Sequence, residues 1–375
     1  MTPFLRRVCL MRKWFLPLAL VSLAALLLSG CSTGRGASWP ALTSDGELAY
    51  LAGGSYVYAI RLSDGTEVWR FPAKANRKLA FYAAPALTPE GHLIIGSSGT
   101  THTLFSLDPA SLDPESGEPL IDWTFDDARD RWIAAPLVTE TGIYAPNVDG
   151  NLYALDFQGR PLWSEPFSAG GPLWSRPTSD GEHLYVASLD HRLFAVDAAT
   201  GQAVWADSVT LDGALAGSPA LGDSGTLFIG SFGSHMHAVD ATTGHIRWSI
   251  PTKGWVWGGP VVNNQTVYFG DLEGYFYALD TENGEQRWPS IQPDGSVIGT
   301  PLVLDEQIVF TTEAGSVYAV SETGEILWST QVGGKLYAPP VLAGDFILVA
   351  PLEADFLIAA LDRNGNQVWT FTPEK

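Results

Sequence analysis

The sequence predicts an all-β protein, an eight-bladed β-propeller built from four-stranded antiparallel blades. Three observations predict it: one tryptophan recurs eight times, one proline recurs in step with it, and short apolar runs separate the two. From the second onward, successive tryptophans lie 40–43 residues apart, and the first interval is 54. Units of about forty residues made of four short strands close radially into propellers. The recurring tryptophans are Trp69, Trp123, Trp163, Trp205, Trp248, Trp288, Trp328 and Trp369.

The fourth unit shows how each repeat divides into strands. Its apolar runs, at 184–187, at 193–197 and up to Trp205, are rich in Val, Leu and aromatic residues and are bounded by Gly, Asp, Ser or Thr. Short runs of this kind are typical of strands joined by tight turns. We therefore expect strands A, B, C and D in each blade, with strand D ending on the tryptophan.

The hairpin between strands C and D has the most regular sequence. In the fourth unit it contains Ala195, Asp197, Gly201 and Trp205. An aspartate accepts hydrogen bonds from turn amides, and a glycine takes the left-handed conformation that the turn needs. The alanine leaves room for the indole on the neighbouring strand. The eight recurring tryptophans are therefore predicted to be structural.

A proline at the start of strand A marks each blade, because proline is tolerated at the first residue of a strand. The first unit begins with its own proline and the last ends with its own tryptophan, so neither resembles a capping repeat. We predict one domain, 39–375, closed by complete repeats, with no pairing of residues 32–38 in the last blade. The prolines are Pro40, Pro85, Pro136, Pro177, Pro219, Pro260, Pro301 and Pro340.

The N-terminal segment is predicted to be a lipoprotein signal. Residues 1–30 hold four basic residues, no acidic residue and an apolar stretch at 14–28 that is shorter than the roughly 20 residues of a membrane-spanning helix. The stretch ends in Leu-Ser-Gly-Cys, which resembles a bacterial lipobox and predicts lipidation of Cys31 and a tether at 31–38. Met1 and Met11 both fit as the start. Ser32 predicts the periplasmic face of the outer membrane, or the outer face of the cytoplasmic membrane where no outer membrane exists.

Composition excludes several classes of function. The chain has 41 acidic and 21 basic residues and a formal net charge of −20, which excludes nucleic acid as a partner. The same negative charge opposes binding to anionic lipid, so membrane attachment is predicted to depend on the N-terminal lipid. Both cysteines, Cys9 and Cys31, precede the propeller, so disulfides, Cys-ligated zinc and thiol catalysis are excluded there. With no recognisable catalytic order of residues, we predict no enzyme, no catalytic residue, no metal and no cofactor.

The hairpin pattern Ala-x-Asp-x-x-Thr-Gly-x-x-x-Trp, found at 195–205 and 238–248 and with Asn283 for the threonine at 278–288, resembles the pyrroloquinoline-quinone-type propeller repeat. The resemblance covers 39–375. In quinoprotein dehydrogenases with this repeat, the quinone lies at the axis with calcium, usually against two adjacent cysteines that this chain lacks. A quinone-dependent oxidoreductase is therefore the alternative from another functional class.

The chain also resembles the BamB family of lipoproteins in the outer-membrane β-barrel assembly machinery, in length, blade count and lipid attachment. That resemblance implies a monomeric, non-enzymatic scaffold whose partner is an envelope protein or peptide. A carbohydrate- or peptide-binding envelope protein unrelated to barrel assembly remains a third interpretation. No partner-contacting residue can be transferred from the family to this chain.

A second set of aromatic residues falls outside the repeat pattern. The D-to-A and B-to-C loops share one face of a propeller, where exposed Trp and Tyr beside basic residues would make good anchors for a protein or peptide. Packing between blades or a plug in the channel is the other interpretation. Because the tether joins this face, we expect it to look toward the membrane. The candidate partner-binding residues are Tyr82, Arg129, Arg131, Trp132, Trp174, Arg176, Trp255, Trp257 and Tyr337.

Three further features of the sequence are predicted to be structural. The acidic residues of the same face, Asp271 among them, are predicted to be mostly solvated turn residues, with a cation site as the alternative. The insertion at 108–119 in blade two predicts a longer, rigid surface loop. His235 and His237 share a strand face, and His237 occupies a position that is aromatic in other blades, so packing is favoured over zinc.

Overall fold

The computed structural model describes residues 39–374. The predicted signal peptide (1–30), the tether (31–38) and the lipidated Cys31 lie outside these residues. The described range contains no helix long and apolar enough to cross a membrane. Its strands form eight small antiparallel sheets, which confirms the predicted all-β, eight-bladed propeller.

Strand A of every blade begins at the residue after the recurring proline, as predicted. Blades one to four consist of β1 Ala41–Ser44, β2 Leu48–Gly53, β3 Tyr56–Arg61 and β4 Glu67–Phe71; β5 Ala86–Leu87, β6 Leu93–Gly96, β7 Leu104–Leu112 and β8 Pro119–Phe125; β9 Leu137–Val138, β10 Ile143–Pro146, β11 Asn151–Leu155 and β12 Phe167–Ser168; and β13 Thr178–Ser179, β14 His183–Ala187, β15 Arg192–Asp197 and β16 Val209–Thr210.

The remaining blades follow the same order. Blades five to eight consist of β17 Ala220–Gly222, β18 Thr226–Ser231, β19 His235–Asp240 and β20 Ile246–Pro251; β21 Val261–Asn263, β22 Thr266–Gly270 and β23 Phe276–Asp280; β24 Leu302–Leu304, β25 Gln307–Thr311, β26 Ser316–Ser321 and β27 Ile326–Gln331; and β28 Val341–Ala343, β29 Phe346–Val349, β30 Ile358–Leu361 and β31 Gln367–Phe371. Every described sheet uses consecutive strands, which agrees with closure by complete repeats. Pairing by residues 32–38 lies outside the described range.

Blade six differs from the prediction in its outermost strand. Its sheet has three strands, and the fourth is reduced to isolated bridges between Phe276 and Ile291 and between Leu279 and Gln286. Pro289 follows Trp288 directly, and a proline cannot donate to a strand ladder. The break in the ladder therefore coincides with this proline.

The hydrophobic core is divided among the spaces between neighbouring blades. At the junction that closes the ring, Leu42 and Ile60 of blade one pack with Leu348, Ala360 and Phe371 of blade eight. All five side chains are buried. Because each sheet is covered on both faces by its neighbours, the stability of a blade depends on the two blades beside it.

The recurring tryptophans connect the blades. The indole of Trp163 in blade three lies on Gly201 in the C-to-D turn of blade four, where a Cβ would stand 2.6 Å from the ring. The indole N–H donates to the carbonyl of Ala198 at 3.0 Å. The same contact with the next blade's turn glycine recurs at seven of the eight junctions in the described chain. The tryptophans are structural, as predicted, and they act between blades as well as within their own.

The junction from blade one to blade two lacks this contact. The insertion at 108–119 extends β7 and β8 into a longer hairpin, so it is regular structure rather than the predicted loop. Among residues 39–374, no atom would lie within 4 Å of a Cβ on Gly117, and the buried indole N–H of Trp69 has no hydrogen-bond partner. The hairpin is held elsewhere, because the Glu118 carboxylate accepts the N–H of Ala73 at 2.6 Å.

The contact between indole and glycine predicts unequal effects of two similar substitutions. Gly201 and Gly117 have nearly the same φ, 73° and 74°. Alanine in this conformation costs about 1–2 kcal/mol at either position, and at Gly201 the clash with Trp163 adds about 1–3 kcal/mol. Gly201→Ala should therefore lower the free energy of unfolding, measured by urea denaturation, clearly more than Gly117→Ala. Equal losses would show that the indole contact contributes nothing.

Candidate functional site

In the segments that lead into strand A, successive side chains point alternately into the core and toward the mouth of the central channel. In blade four, Leu173 is fully buried while Trp174, the third residue before the proline, is 37% exposed. The same alternation places Val256 in the core and Trp257 at the surface of the mouth. Side chains of extended backbone alternate in this way. At Trp174 and Trp257 the third position before the proline therefore faces the mouth of the central channel, whereas Ala216 and Ile298 at the same position are buried.

Four aromatic rings meet at this mouth although they belong to four different blades. Trp39 of blade one stacks on Tyr337 of blade eight, with ring centroids 5.3 Å apart, and lies 5.4 Å from Trp257 of blade six. Trp174 of blade four lies 6.4 Å from Trp257. Trp39 and Trp174 each expose more than a third of their surface.

Two more rings extend the set into the B-to-C loop of blade five. Phe232 stacks on Trp255 at 5.1 Å and lies 5.1 Å from Trp257. Trp255 is 51% exposed. We call these six residues the mouth cluster: Trp39, Trp174, Phe232, Trp255, Trp257 and Tyr337.

Tyr337 is also fixed by a polar contact. Its hydroxyl donates to a Glu313 carboxylate oxygen at 2.9 Å. Burial, together with this hydrogen bond, raises the pKa of Tyr337 to about 12. The ring is therefore neutral and held in place at neutral pH.

The structure brings together four of the predicted aromatic residues, Trp174, Trp255, Trp257 and Tyr337. Tyr82 has the equivalent position in blade two, but it makes no ring contact within residues 39–374. Trp132 is corrected from a surface residue to a core residue. Its ring is 1% exposed, lies against Gly96 and donates its N–H to the His102 carbonyl at 2.9 Å.

The repeat explains the burial of Trp132. It is the fourth residue before the proline, the position that Leu173 and Val256 fill in other blades. Gly96, at the end of strand B, provides the space for its ring, and a Cβ there would lie 2.2 Å from the Trp132 side chain.

The basic residues of this face have different environments. Arg131 pairs with Asp130 at 3.3 Å, and Lys335 pairs with Glu353 at 3.7 Å. Arg129 and Arg176 are exposed and make no ion pair within the described part of the chain. Arg129 borders a separate cavity of about 490 Å³, which lies where Pro161 and Pro166 interrupt the outer strand of blade three.

Trp39 and Phe232 were missed by sequence reasoning. Trp39 directly precedes Pro40, so its register in the repeat could have placed it at the channel. Phe232 follows strand B in a loop whose sequence has no recurring feature. Its position depends on contacts with the next blade, which the spacing of the repeats does not specify.

Two polar side chains, Asp271 in blade six and His237 in blade five, are held by hydrogen bonds within the protein. Asp271 is fully buried, unlike the predicted solvated turn residues, and accepts the Tyr277 hydroxyl at 2.7 Å. In blade five, His237 replaces the tyrosine: Nε2 lies 3.0 Å from the Asp212 carboxylate and Nδ1 lies 2.8 Å from the Ser249 hydroxyl. Burial lowers the pKa of His237. Across residues 39–374, no three His, Cys, Asp or Glu side chains are grouped closely enough to hold a metal ion.

The fold and its repeat define an eight-bladed propeller of the pyrroloquinoline-quinone-repeat type. The family profile described as outer membrane protein assembly factor BamB matches residues 110–221, 195–297 and 290–375. These ranges cover more than half of the chain, so the chain belongs to the BamB family.

Individual relatives are distant. The BamB proteins of Burkholderia pseudomallei and Nitrosomonas eutropha are 25% and 26% identical over 113 residues, 30% of this chain and 29% and 27% of theirs. BamB of Kangiella koreensis is 24% identical over 188 residues, 50% of this chain and 37% of its own. The chain thus matches less than two fifths of the length of each of these relatives.

Two solved structures show the same fold. The crystal structure of BamB from Moraxella catarrhalis has a TM-score of 0.66 and 18% identity, covering 83% of this chain and 92% of that one. The computationally designed protein Ika8 has a TM-score of 0.70 and 12% identity, covering 90% and 98%. A designed propeller matches as well as a natural one, so this likeness shows the fold alone.

The alternation of core and mouth positions predicts opposite results for two tryptophans. Trp132→Ala should destabilise the protein by about 3–5 kcal/mol, because it empties a buried site. Trp255→Ala should change the free energy of unfolding by less than about 1 kcal/mol, because its ring is half exposed. Urea denaturation of both variants gives the comparison. A large loss for Trp255→Ala would make that residue part of the core.

Proposed function

We propose that this chain is a lipid-anchored, extracytoplasmic scaffold in outer-membrane protein assembly, and that it binds a protein partner through the mouth cluster without catalysing a reaction. Family membership supports the assembly role. The mouth cluster is the observation that carries the proposal: Trp39, Trp174 and Trp255 are each more than a third exposed, whereas the repeat tryptophans are buried or partly buried between blades.

The mouth cluster has the physical properties of a protein-binding anchor. Tryptophan and tyrosine contribute large contact areas and are enriched among residues that dominate binding energy. The rings already rest on one another, so few rotamers remain to be fixed when a partner arrives. Ordering costs at the interface are reduced accordingly.

The position of Trp39 connects the mouth cluster to the proposed anchor. A lipidated Cys31 would begin a tether of residues 31–38, which reaches at most about 28 Å when extended. The tether joins the propeller at Trp39, itself a member of the mouth cluster. We infer that this face looks toward the inner surface of the outer membrane and meets a membrane-proximal partner.

Removal of two rings should separate binding from stability. In the native host, Trp174→Ala combined with Trp257→Ala should reduce recovery of outer-membrane assembly proteins with the affinity-tagged, full-length chain by at least tenfold, because the variant loses the centre of the anchor. Quantitative mass spectrometry of the recovered proteins gives the comparison, and the thermal midpoint should fall only slightly.

A matched control is Ile326→Ala combined with Leu327→Ala. These two side chains are 52% and 51% exposed, but they lie on the outer strand of blade seven. This control should retain the partner. Equal loss in both double variants, or full recovery with the mouth variant, would contradict the proposal.

A further inference from the structure

The strand register of blade five places a serine and a histidine directly opposite each other. Ser249 on β20 pairs with His237 on β19. Ser249 is exposed on the outer strand, whereas the side chain of His237 is only 5% exposed. Blade seven repeats this geometry with a different partner, because the exposed Ser329 on β27 lies opposite Tyr318 on β26.

The hydroxyl group of Ser249 is within hydrogen-bond distance of the imidazole. Its Oγ lies 2.8 Å from His237 Nδ1, and His237 Nε2 lies 3.0 Å from an Asp212 carboxylate oxygen. Because burial lowers the pKa of His237, the ring is neutral at neutral pH. A carboxylate only accepts hydrogen bonds, so Nε2 carries the proton and Nδ1 accepts the serine O–H. Nδ1 is therefore placed as a general base for the Ser249 hydroxyl.

The carboxylate of Asp212 is itself held in position by its neighbours. Its Oδ1 accepts the Ser231 hydroxyl at 2.6 Å as well as the N–H of His237, and its Oδ2 lies 2.6 Å from His235 Nδ1. The two imidazole rings stack with their centroids 5.7 Å apart. These contacts orient the carboxylate toward Nε2 and so fix the tautomer of His237. Asp212 precedes strand A of blade five, and only the fold brings it to strands C and D.

We propose that Ser249 is a nucleophilic modification site that takes the acyl group of an ester, with His237 as general base and Asp212 as the residue that positions the base. A serine hydroxyl beside a histidine that a carboxylate orients is activated for acyl transfer on several unrelated folds. The exposed hydroxyl is accessible to the ester. A single transfer to the protein is not turnover, and Ser249 lies on the outer strand, so the site is independent of partner binding at the mouth cluster.

The transfer is balanced by these residues and the ester alone. Ser249 Oγ attacks the carbonyl carbon and forms an O–C bond, while the hydroxyl proton passes to His237 Nδ1. The C–O bond to the leaving alcohol breaks, and the departing oxygen takes the proton from Nδ1. The products are an acylated serine and a free alcohol, and the imidazole returns to its neutral form.

Reaction of the purified full-length protein in detergent with p-nitrophenyl acetate at neutral pH tests this site. Absorbance follows the release of nitrophenolate, and mass spectrometry of the acid-quenched protein gives the acetylated fraction at each serine. A fluorophosphonate is used in parallel, because its serine adduct does not hydrolyse. We expect Ser249 to react at least tenfold faster than Ser329 with both reagents, since Ser329 is also exposed but lies opposite a phenol instead of a base.

Variants of the base and of its positioning residue separate chemistry from packing. His237→Phe keeps an aromatic ring at the position that Phe194 fills in blade four, so the rate at Ser249 should fall at least tenfold while the thermal midpoint changes little. Asp212→Asn can donate to Nε2 and so favours the wrong tautomer. It should lower the rate several-fold, and Asp212→Glu should restore part of it.

The rate at Ser329 in the same molecule is the internal reference, and it should stay constant in every variant. Absence of an adduct at Ser249 with both reagents, equal rates at Ser249 and Ser329, or an unchanged rate in His237→Phe would overturn the proposal. Reaction with the fluorophosphonate alone, with equal release of nitrophenolate by wild type and Ser249→Ala, would overturn acyl transfer.

Discussion

In this propeller the indole of one blade rests on the turn glycine of the next, and the rest of the structure depends on that contact. Only glycine fits beneath the ring, since it must combine a positive φ with the absence of a Cβ. At six of the seven junctions with this contact, the indole N–H also reaches a carbonyl of the next turn. The contact therefore sets both the spacing and the height of neighbouring blades.

Fixed blade height determines which residues reach the mouth. In the segments that lead into blades two to eight, the fourth residue before the proline enters the core, and in blades four, six and eight the third residue is an aromatic side chain at the channel mouth. Trp132 is the fourth residue before its proline and lies in the core, whereas Trp174 is the third residue before its proline and lies in the mouth cluster. Because the repeat indoles hold the blades together, the aromatic rings of the mouth cluster are not needed for that role and are available to bind a partner.

Much of this could be predicted from the sequence, because the periodic residues have local causes. Proline marks the first strand, aspartate and glycine form the hairpin turn, and the tryptophan spacing gives the number of blades. The sequence predictions were wrong or incomplete where the position of a side chain depends on contacts with a neighbouring blade. Burial of Trp132 depends on Gly96 of the blade before it, and the place of Phe232 depends on two tryptophans of the following segment. Lipidation of Cys31 stays a prediction.

The central claim is that the recurring indoles hold the ring closed while those of the mouth are available to a partner. Hydrogen exchange of the indole N–H groups, followed by NMR on tryptophan-labelled protein, tests it most directly. The account predicts that Trp163 and Trp205 exchange only through global unfolding, whereas Trp174 and Trp255 exchange rapidly and become protected when a partner binds. Rapid exchange at the repeat indoles, or strong protection of the mouth indoles in the free protein, would contradict it.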